Sequence, residues 1–296
     1  MSAMPMLLGT TWSGSVSSRW VRTGEVNWYV QEAGSGPALL LIHGTGASSH
    51  SWRDLAPLLA RRFTVIAPDL PGHGFSGAPA SVQVYSLPGM AQALGALLRA
   101  LKVAPELAVG HSAGAAILAR MALDRLLVPR VLISINGALL PMAGMPGWLF
   151  APLARLLAGS RFVPRLVARR AHDRSAIERL IRNTGSRLNA AGVNCYHALA
   201  RDPGHVGAVL QMMANWDLHE LARELPRLQV PLVLLGANGD RTIPPQQLAR
   251  LKILVPDAKA LSLGDLGHLA HEEDPELAAR LILHTAVSAG ILPETE

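Results

Sequence analysis

Residues 110–114 read Gly-His-Ser-Ala-Gly, and the chain on either side gives that pentapeptide a setting. A short apolar run, Leu107 to Val109, precedes it, and a helix-forming stretch, Ala113 to Leu127, follows it. A serine at a sharp strand-to-helix turn projects its hydroxyl from the edge of a sheet. The turn strains the backbone and leaves room beside it only for small residues. Gly110, Ala113 and Gly114 meet that demand. A serine hydroxyl is a poor nucleophile until a base takes its proton, and the base needs an acid to orient it. Both have candidates downstream. Val230 to Gly236 reads as a buried strand and runs into Ala-Asn-Gly-Asp240. Ala258 to Leu263 reads as another, running into Gly-Asp-Leu-Gly-His268. Ser112, Asp240 and His268 are thus the expected catalytic residues, each just past a strand.

Upstream, Ala38 to Ile42 reads as a strand ending in His43-Gly44-Thr45-Gly46. Attack on a carbonyl builds negative charge on its oxygen, and two backbone N–H groups aimed at that point are the usual stabiliser. Ala113, the residue after the nucleophile, is expected to supply one and Thr45 the other. His43, Gly44, His111, Trp148 and Trp216 are candidates for the substrate pocket. Asp69 and His73, in the loop after the strand Phe63 to Ala67, read as turn residues, and His271 as charge at a helix N-terminus.

His-Gly-Thr-Gly (43–46), Asp-Leu-Pro-Gly-His-Gly (69–74), Gly-His-Ser-Ala-Gly (110–114), Gly-Asp (239–240) and Gly-His (267–268) together resemble the α/β-hydrolase superfamily over about residues 19–290. A narrower likeness rests on segments outside those motifs. They are Thr45 to Pro57, Asn136 to Pro141, Thr184-Gly-Ser-Arg187, Arg201-Asp-Pro-Gly-His205, Met212 to Asp217 and Gly267 to Glu273. They are similar to the magnesium chelatase accessory proteins of bacteriochlorophyll biosynthesis. That resemblance implies a role in support of magnesium insertion into a porphyrin. Some members of the superfamily place the acid after the sixth strand, where this chain has Asn136, which leaves Asp240 to serve.

The layout agrees with an α/β-hydrolase fold. An antiparallel start at about 19–33 precedes strands at about 38–42, 63–67, 106–110, 130–136, 230–236 and 259–263. Helices are expected at about 52–61, 87–101, 113–127, 245–252 and 275–289. Strands alternating with helices predict a mostly parallel eight-stranded sheet with helices on both faces. Residues 1–18 read as a loose tail and 19–137 with 216–296 as the core. Residues 138–215 carry no strand signal and read as a helical cap inserted after strand 6, with pieces at about 146–158, 163–171, 174–183, 187–201 and 204–214.

With 50% hydrophobic and 16% charged residues, 296 residues suffice for a large core. One cysteine, Cys195, excludes an internal disulfide and suits a reducing compartment. The N-terminus lacks the pattern of a secretory signal, and no run of about 18 apolar residues predicts a membrane span. The cap holds ten arginines against Asp173, Glu178 and Asp202, a net +7 in a chain whose total is +6. Charge so confined, with no nucleic-acid motif beside it, argues against nucleic acid. It suits an anionic ligand, an acidic partner or an anionic membrane surface, and the resemblance implies the carboxylates of a porphyrin-type ligand or the chelatase itself. The expected location is the cytoplasm, peripheral to the inner or photosynthetic membrane. No metal site and no cofactor are expected.

Two functions compete. One is a serine hydrolase of esterase type. The other is a non-catalytic protein that binds a porphyrin or the chelatase on a hydrolase fold. Within the enzyme class, carbon–carbon bond hydrolysis and cofactor-free perhydrolysis use the same triad. Dehalogenase and epoxide hydrolase chemistry needs an aspartate where Ser112 stands.

Overall fold

The computed structural model describes residue 12, residues 16–141, residue 160 and residues 162–294. Eight strands form one sheet: β1 (Val16–Thr23), β2 (Val26–Ala33), β3 (Ala38–Ile42), β4 (Thr64–Pro68), β5 (Leu107–His111), β6 (Val131–Ile135), β7 (Leu232–Gly236) and β8 (Lys259–Ser262). Their order is β1-β2-β4-β3-β5-β6-β7-β8. The β1–β2 and β2–β4 pairs are antiparallel, and every later pair is parallel. The larger helices are α1 (Leu87–Leu101), α2 (Ala113–Leu123), α3 (Phe162–Arg170), α4 (Arg174–Asn183), α5 (Ala190–Ala200), α6 (Pro203–Asn215), α7 (Gln246–Leu254) and α8 (Pro275–Ser288).

The central strands are apolar on both faces because both faces are covered. Leu40, Ile42, Ala108, Leu132 and Leu234 pack with α1 and α2 in one core. Their chain neighbours Leu39, Leu41, Leu107, Val109, Ile133 and Leu235 pack in a second core with α8 and the segment Trp52–Leu59. Side chains alternate across a strand, so one apolar run feeds two cores.

Four expectations change at the element ends. The helix expected at 52–61 is a 3₁₀ turn, Ser49–Trp52, followed by one helical turn, Ala56–Leu59. The Ser48 hydroxyl accepts the His50 N–H to start the first, and Pro57 sits in the opening turn of the second. Helix α2 stops at Leu123, short of Leu127, and Arg125 takes a left-handed conformation at φ 56°. Helix α5 starts at Ala190 because the Asn189 side chain caps it. Strand pairing begins at Val16, inside the stretch read as a tail, and Trp12 is buried with its indole N–H on the Ser49 carbonyl.

Helices α3–α6 all fall between β6 and β7, within the stretch expected to be the cap. The helix expected at 146–158 and Trp148 lie outside the described residues. Among the described residues, no helix is long and apolar enough to cross a membrane.

Candidate active site

The turn from β5 into α2 places Ser112 at φ 51°, ψ −118°. Only strong local restraint holds a serine there. Its N–H donates to the Ile135 carbonyl at 3.1 Å, and its own carbonyl accepts from Ala115 and Ala138. The glycines explain why nothing larger fits. A Cβ on Gly110 would lie 2.5 Å from the Ala115 nitrogen, and one on Gly114 would lie 2.2 Å from the Ile42 carbonyl oxygen. Gly44 packs on the turn from the other side, where a Cβ would stand 3.0 Å from the Ser112 Cβ. Ser112 itself is partly exposed, whereas Ala113 is buried at the first position of α2.

Asp240 follows β7 and His268 follows β8, both buried. The His268 Nδ1–H donates to Asp240 Oδ2 at 2.8 Å. The other carboxylate oxygen accepts the N–H groups of Thr242 and Ile243 at 2.7 and 2.8 Å. Such bonds fix the carboxylate, and the carboxylate fixes the tautomer that leaves Nε2 free to accept a proton.

The predicted pocket residues divide. His43 is buried, with Nδ1–H on the Gly44 carbonyl (2.8 Å) and Nε2 accepting the Leu70 N–H (2.9 Å), so both ring nitrogens brace loops. His111 is buried against His268, ring centroids 4.7 Å apart, and its Nε2–H donates to the His268 carbonyl at 2.9 Å. Burial pushes the pKa of both imidazoles well below the usual histidine range, so both stand neutral. Thr45 is exposed, and its hydroxyl donates to Met212 Sδ on α6 at 3.4 Å. Trp216 is partly buried against the core at the end of α6.

Asp69 and His73 are buried loop braces. Asp69 accepts N–H groups from Ser49 and Phe75, and burial pushes its carboxyl up to about 6. His271 departs from its expected role. It is fully buried, its ring 4.5 Å from both Trp52 and His111, and burial lowers its pKa; Asp274 caps α8 instead. Beside it the Arg53–Glu272 ion pair is buried, and the Tyr196 hydroxyl donates to Glu272 at 2.7 Å.

Asn136 was legible only as the absence of an acid. In the structure its Nδ2 donates to the carbonyls of Gly267 and His268, both at 3.0 Å, and its Oδ1 accepts the Ala237 N–H at 2.9 Å. Among the described residues, no group of three or more His, Cys, Asp or Glu is arranged to hold a metal ion.

The arrangement provides a strained, accessible hydroxyl, a histidine oriented by a buried carboxylate, and a helix N-terminus beside them. Residues 37–275 match the family model for the alpha/beta hydrolase fold. The chain is 41% identical to the magnesium-chelatase 30 kDa subunit of Rhodobacter capsulatus, over 94% of this chain and 98% of that protein. It is 27% identical to the pyrrolizixenacetamide deacetylase of Xenorhabdus hominickii, over 82% and 88%. The crystal structure of an alpha/beta hydrolase fold protein from Burkholderia ambifaria superposes with a TM-score of 0.77 at 25% identity, covering 90% of this chain and 97% of that one. With the elbow, the sheet order and these likenesses in agreement, the chain belongs to the α/β-hydrolase fold family and, within it, groups with the Rhodobacter capsulatus magnesium-chelatase 30 kDa subunit.

Proposed function

We propose that this protein is a serine hydrolase acting in support of magnesium chelatase in bacteriochlorophyll biosynthesis. The observation that carries the reading is the 2.8 Å bond from His268 Nδ1–H to a buried Asp240, assembled at the same sheet edge as a serine held at φ 51°. In this reading His268 Nε2 takes the Ser112 hydroxyl proton as Oγ bonds to an ester carbonyl carbon. The oxyanion that forms accepts the backbone N–H groups of Thr45 and Ala113. His268, now an imidazolium facing Asp240, returns the proton to the leaving alcohol as the carbon–oxygen bond breaks. Water, deprotonated by His268, then releases the acid and restores Ser112. The deacetylase relative supports an acyl-group chemistry, since its name describes removal of an acetyl group.

For the substrate we propose an apolar, anionic molecule of porphyrin type, with cap arginines meeting its carboxylates. A guanidinium matches a carboxylate through two parallel hydrogen bonds. The arginine-rich cap also supports contact with the chelatase or an anionic membrane surface, and with it a cytoplasmic location peripheral to the membrane. The core–cap division at residues 137/138 and 215/216 belongs to the same reading. A second reading, binding without turnover, draws on the relative's name, which describes a subunit of a chelatase.

Complementation separates them. A phototrophic strain lacking the corresponding gene receives either the wild-type chain or Ser112→Ala at matched expression, and bacteriochlorophyll is quantified. Pigment with wild type and none with Ser112→Ala is the expected result. Equal pigment from both would move the function to binding.

A further inference from the structure

Thr184, Gly185 and Ser186 belong to the cap, in the turn between α4 and α5, yet their polar contacts run to the core. The Thr184 carbonyl accepts two N–H groups, from Arg241 at 3.1 Å and from His268 at 3.3 Å. One donor follows Asp240 in the chain and the other is the candidate base itself. The Ser186 side chain is fully buried, and its Oγ accepts the Leu269 N–H at 2.8 Å. Gly185 sits at φ 89°, and a Cβ there would fall 2.0 Å from the Gly239 carbonyl oxygen. A Cβ on Gly267 would in turn fall 2.4 Å from the Ser186 nitrogen. Glu273 completes the arrangement, accepting the Arg187 N–H at 3.0 Å through one oxygen and the Gly267 N–H at 2.9 Å through the other.

The turn is therefore wedged between the loop that carries Asp240 and the loop that carries His268, in backbone contact with both. Covering the site would not require this. A lid can close over a pocket through side chains at its rim, with no bond to the main chain of the base. We propose that the Thr184-Gly185-Ser186 turn is a positioning element, which holds the two loops in register so that the cap sets the reactivity of Ser112 as well as enclosing it. Thr184 and Ser186 act through the backbone of Arg241, His268 and Leu269 and touch no reacting atom. The proposal rests on the reading of Ser112 as a nucleophile activated by His268, and its test is built to separate the two.

The test uses the full-length protein and a fluorophosphonate, which phosphorylates an activated serine on oxygen with loss of fluoride. The rate and half-saturation of labelling are measured for wild type, Ser186→Ala and Gly185→Ala. Leu180→Ala, at an exposed position of α4, serves as the control. In parallel, proton NMR follows the downfield resonance of the His268 Nδ1–H held by Asp240, which needs no turnover. Ser186→Ala is expected to lower the maximal labelling rate by about 10- to 100-fold, the scale of a small misplacement of catalytic groups, with half-saturation unchanged. It is also expected to broaden or shift the downfield proton. Gly185→Ala should be more severe, and if it fails to fold, Ser186→Ala decides. Wild-type labelling by Ser186→Ala, with the resonance unchanged, overturns the proposal. A wild type that resists labelling but shows a resonance sensitive to Ser186→Ala keeps the positioning role and removes the hydrolase reading. A wild type with neither label nor resonance removes both.

Discussion

Asn136 has φ 44°, a left-handed conformation that asparagine tolerates better than most residues, and its short side chain reaches three backbone groups from there. It ties the end of β6 to the start of the Asp240 loop through Ala237 and to the His268 loop through Gly267 and His268. A buried carbonyl or N–H left without its partner costs about 1–3 kcal/mol. Asn136→Ala should therefore destabilise the fold by about 2–4 kcal/mol, read as a lower midpoint in urea at unchanged slope. Asn136→Asp should cost more at pH 8, because a carboxylate would face two carbonyl oxygens. An Asp variant as stable as wild type would show that these bonds contribute little. The sequence marked position 136 only by what it lacked. Hydrogen bonds to carbonyls more than a hundred residues away leave no local pattern. Ser112, Asp240 and His268 were legible because strand–loop placement and order announce them. The burial of His271 was not, since Trp52 and His111 reach it from distant elements.

Among the elements, the strands were the clearest, because a strand covered on both faces is a continuous apolar run. The segment 52–61 misled for a related reason. Trp52, Leu55, Ala56 and Leu59 keep helical spacing and are all buried, but the turn set by Ser48 and the restart at Pro57 divide the segment. Helix α3 carries the partner question. Phe162 is 80% and Leu166 53% exposed, and Arg165, Arg169 and Arg170 stand on the same short helix, also exposed. Pro164 faces Gly207 of α6 while Ala168 is buried, so the apolar outer face is not what holds α3 to α6. An apolar face flanked by arginine is the pattern of helices that settle into anionic lipid interfaces. Co-sedimentation with vesicles containing phosphatidylglycerol should fall by about tenfold or more in Phe162→Ser/Leu166→Ser, and wild-type binding should weaken as salt rises. Equal binding to vesicles of phosphatidylcholine alone would remove the electrostatic part of this reading.

Across the whole molecule, six histidines, 43, 50, 73, 111, 205 and 271, are buried and have their pKa values lowered, chiefly by burial. His73 falls to about 4 and His205 to about 3. In the unfolded chain each takes up a proton near 6.5, and in the fold each resists it. Stability is then full above about pH 6.5 and falls as the pH drops toward the folded values, by up to ~1.4 kcal/mol per pH unit for each histidine. Asp69 works the other way. Its raised pKa of about 6 makes its ionised form the costly one, so acid relieves it, and burial pushes the Glu272 carboxyl up in the same sense, but these are two groups against six. The melting temperature should decline steeply between pH 6.5 and 5, and a flat profile there would contradict the buried neutral state. The sheet order has a consequence in time. Strand β6 is buried along its whole length and pairs with β5 on one side and β7 on the other, yet β7 leaves the ribosome only after helices α3–α6, roughly 100 residues later. At about 5–20 residues per second, the nascent chain carries an unpaired apolar edge for about 5–20 s. Newborn copies of this protein thus pass through an interval of self-association risk that the finished fold no longer shows, and slower translation would lengthen it.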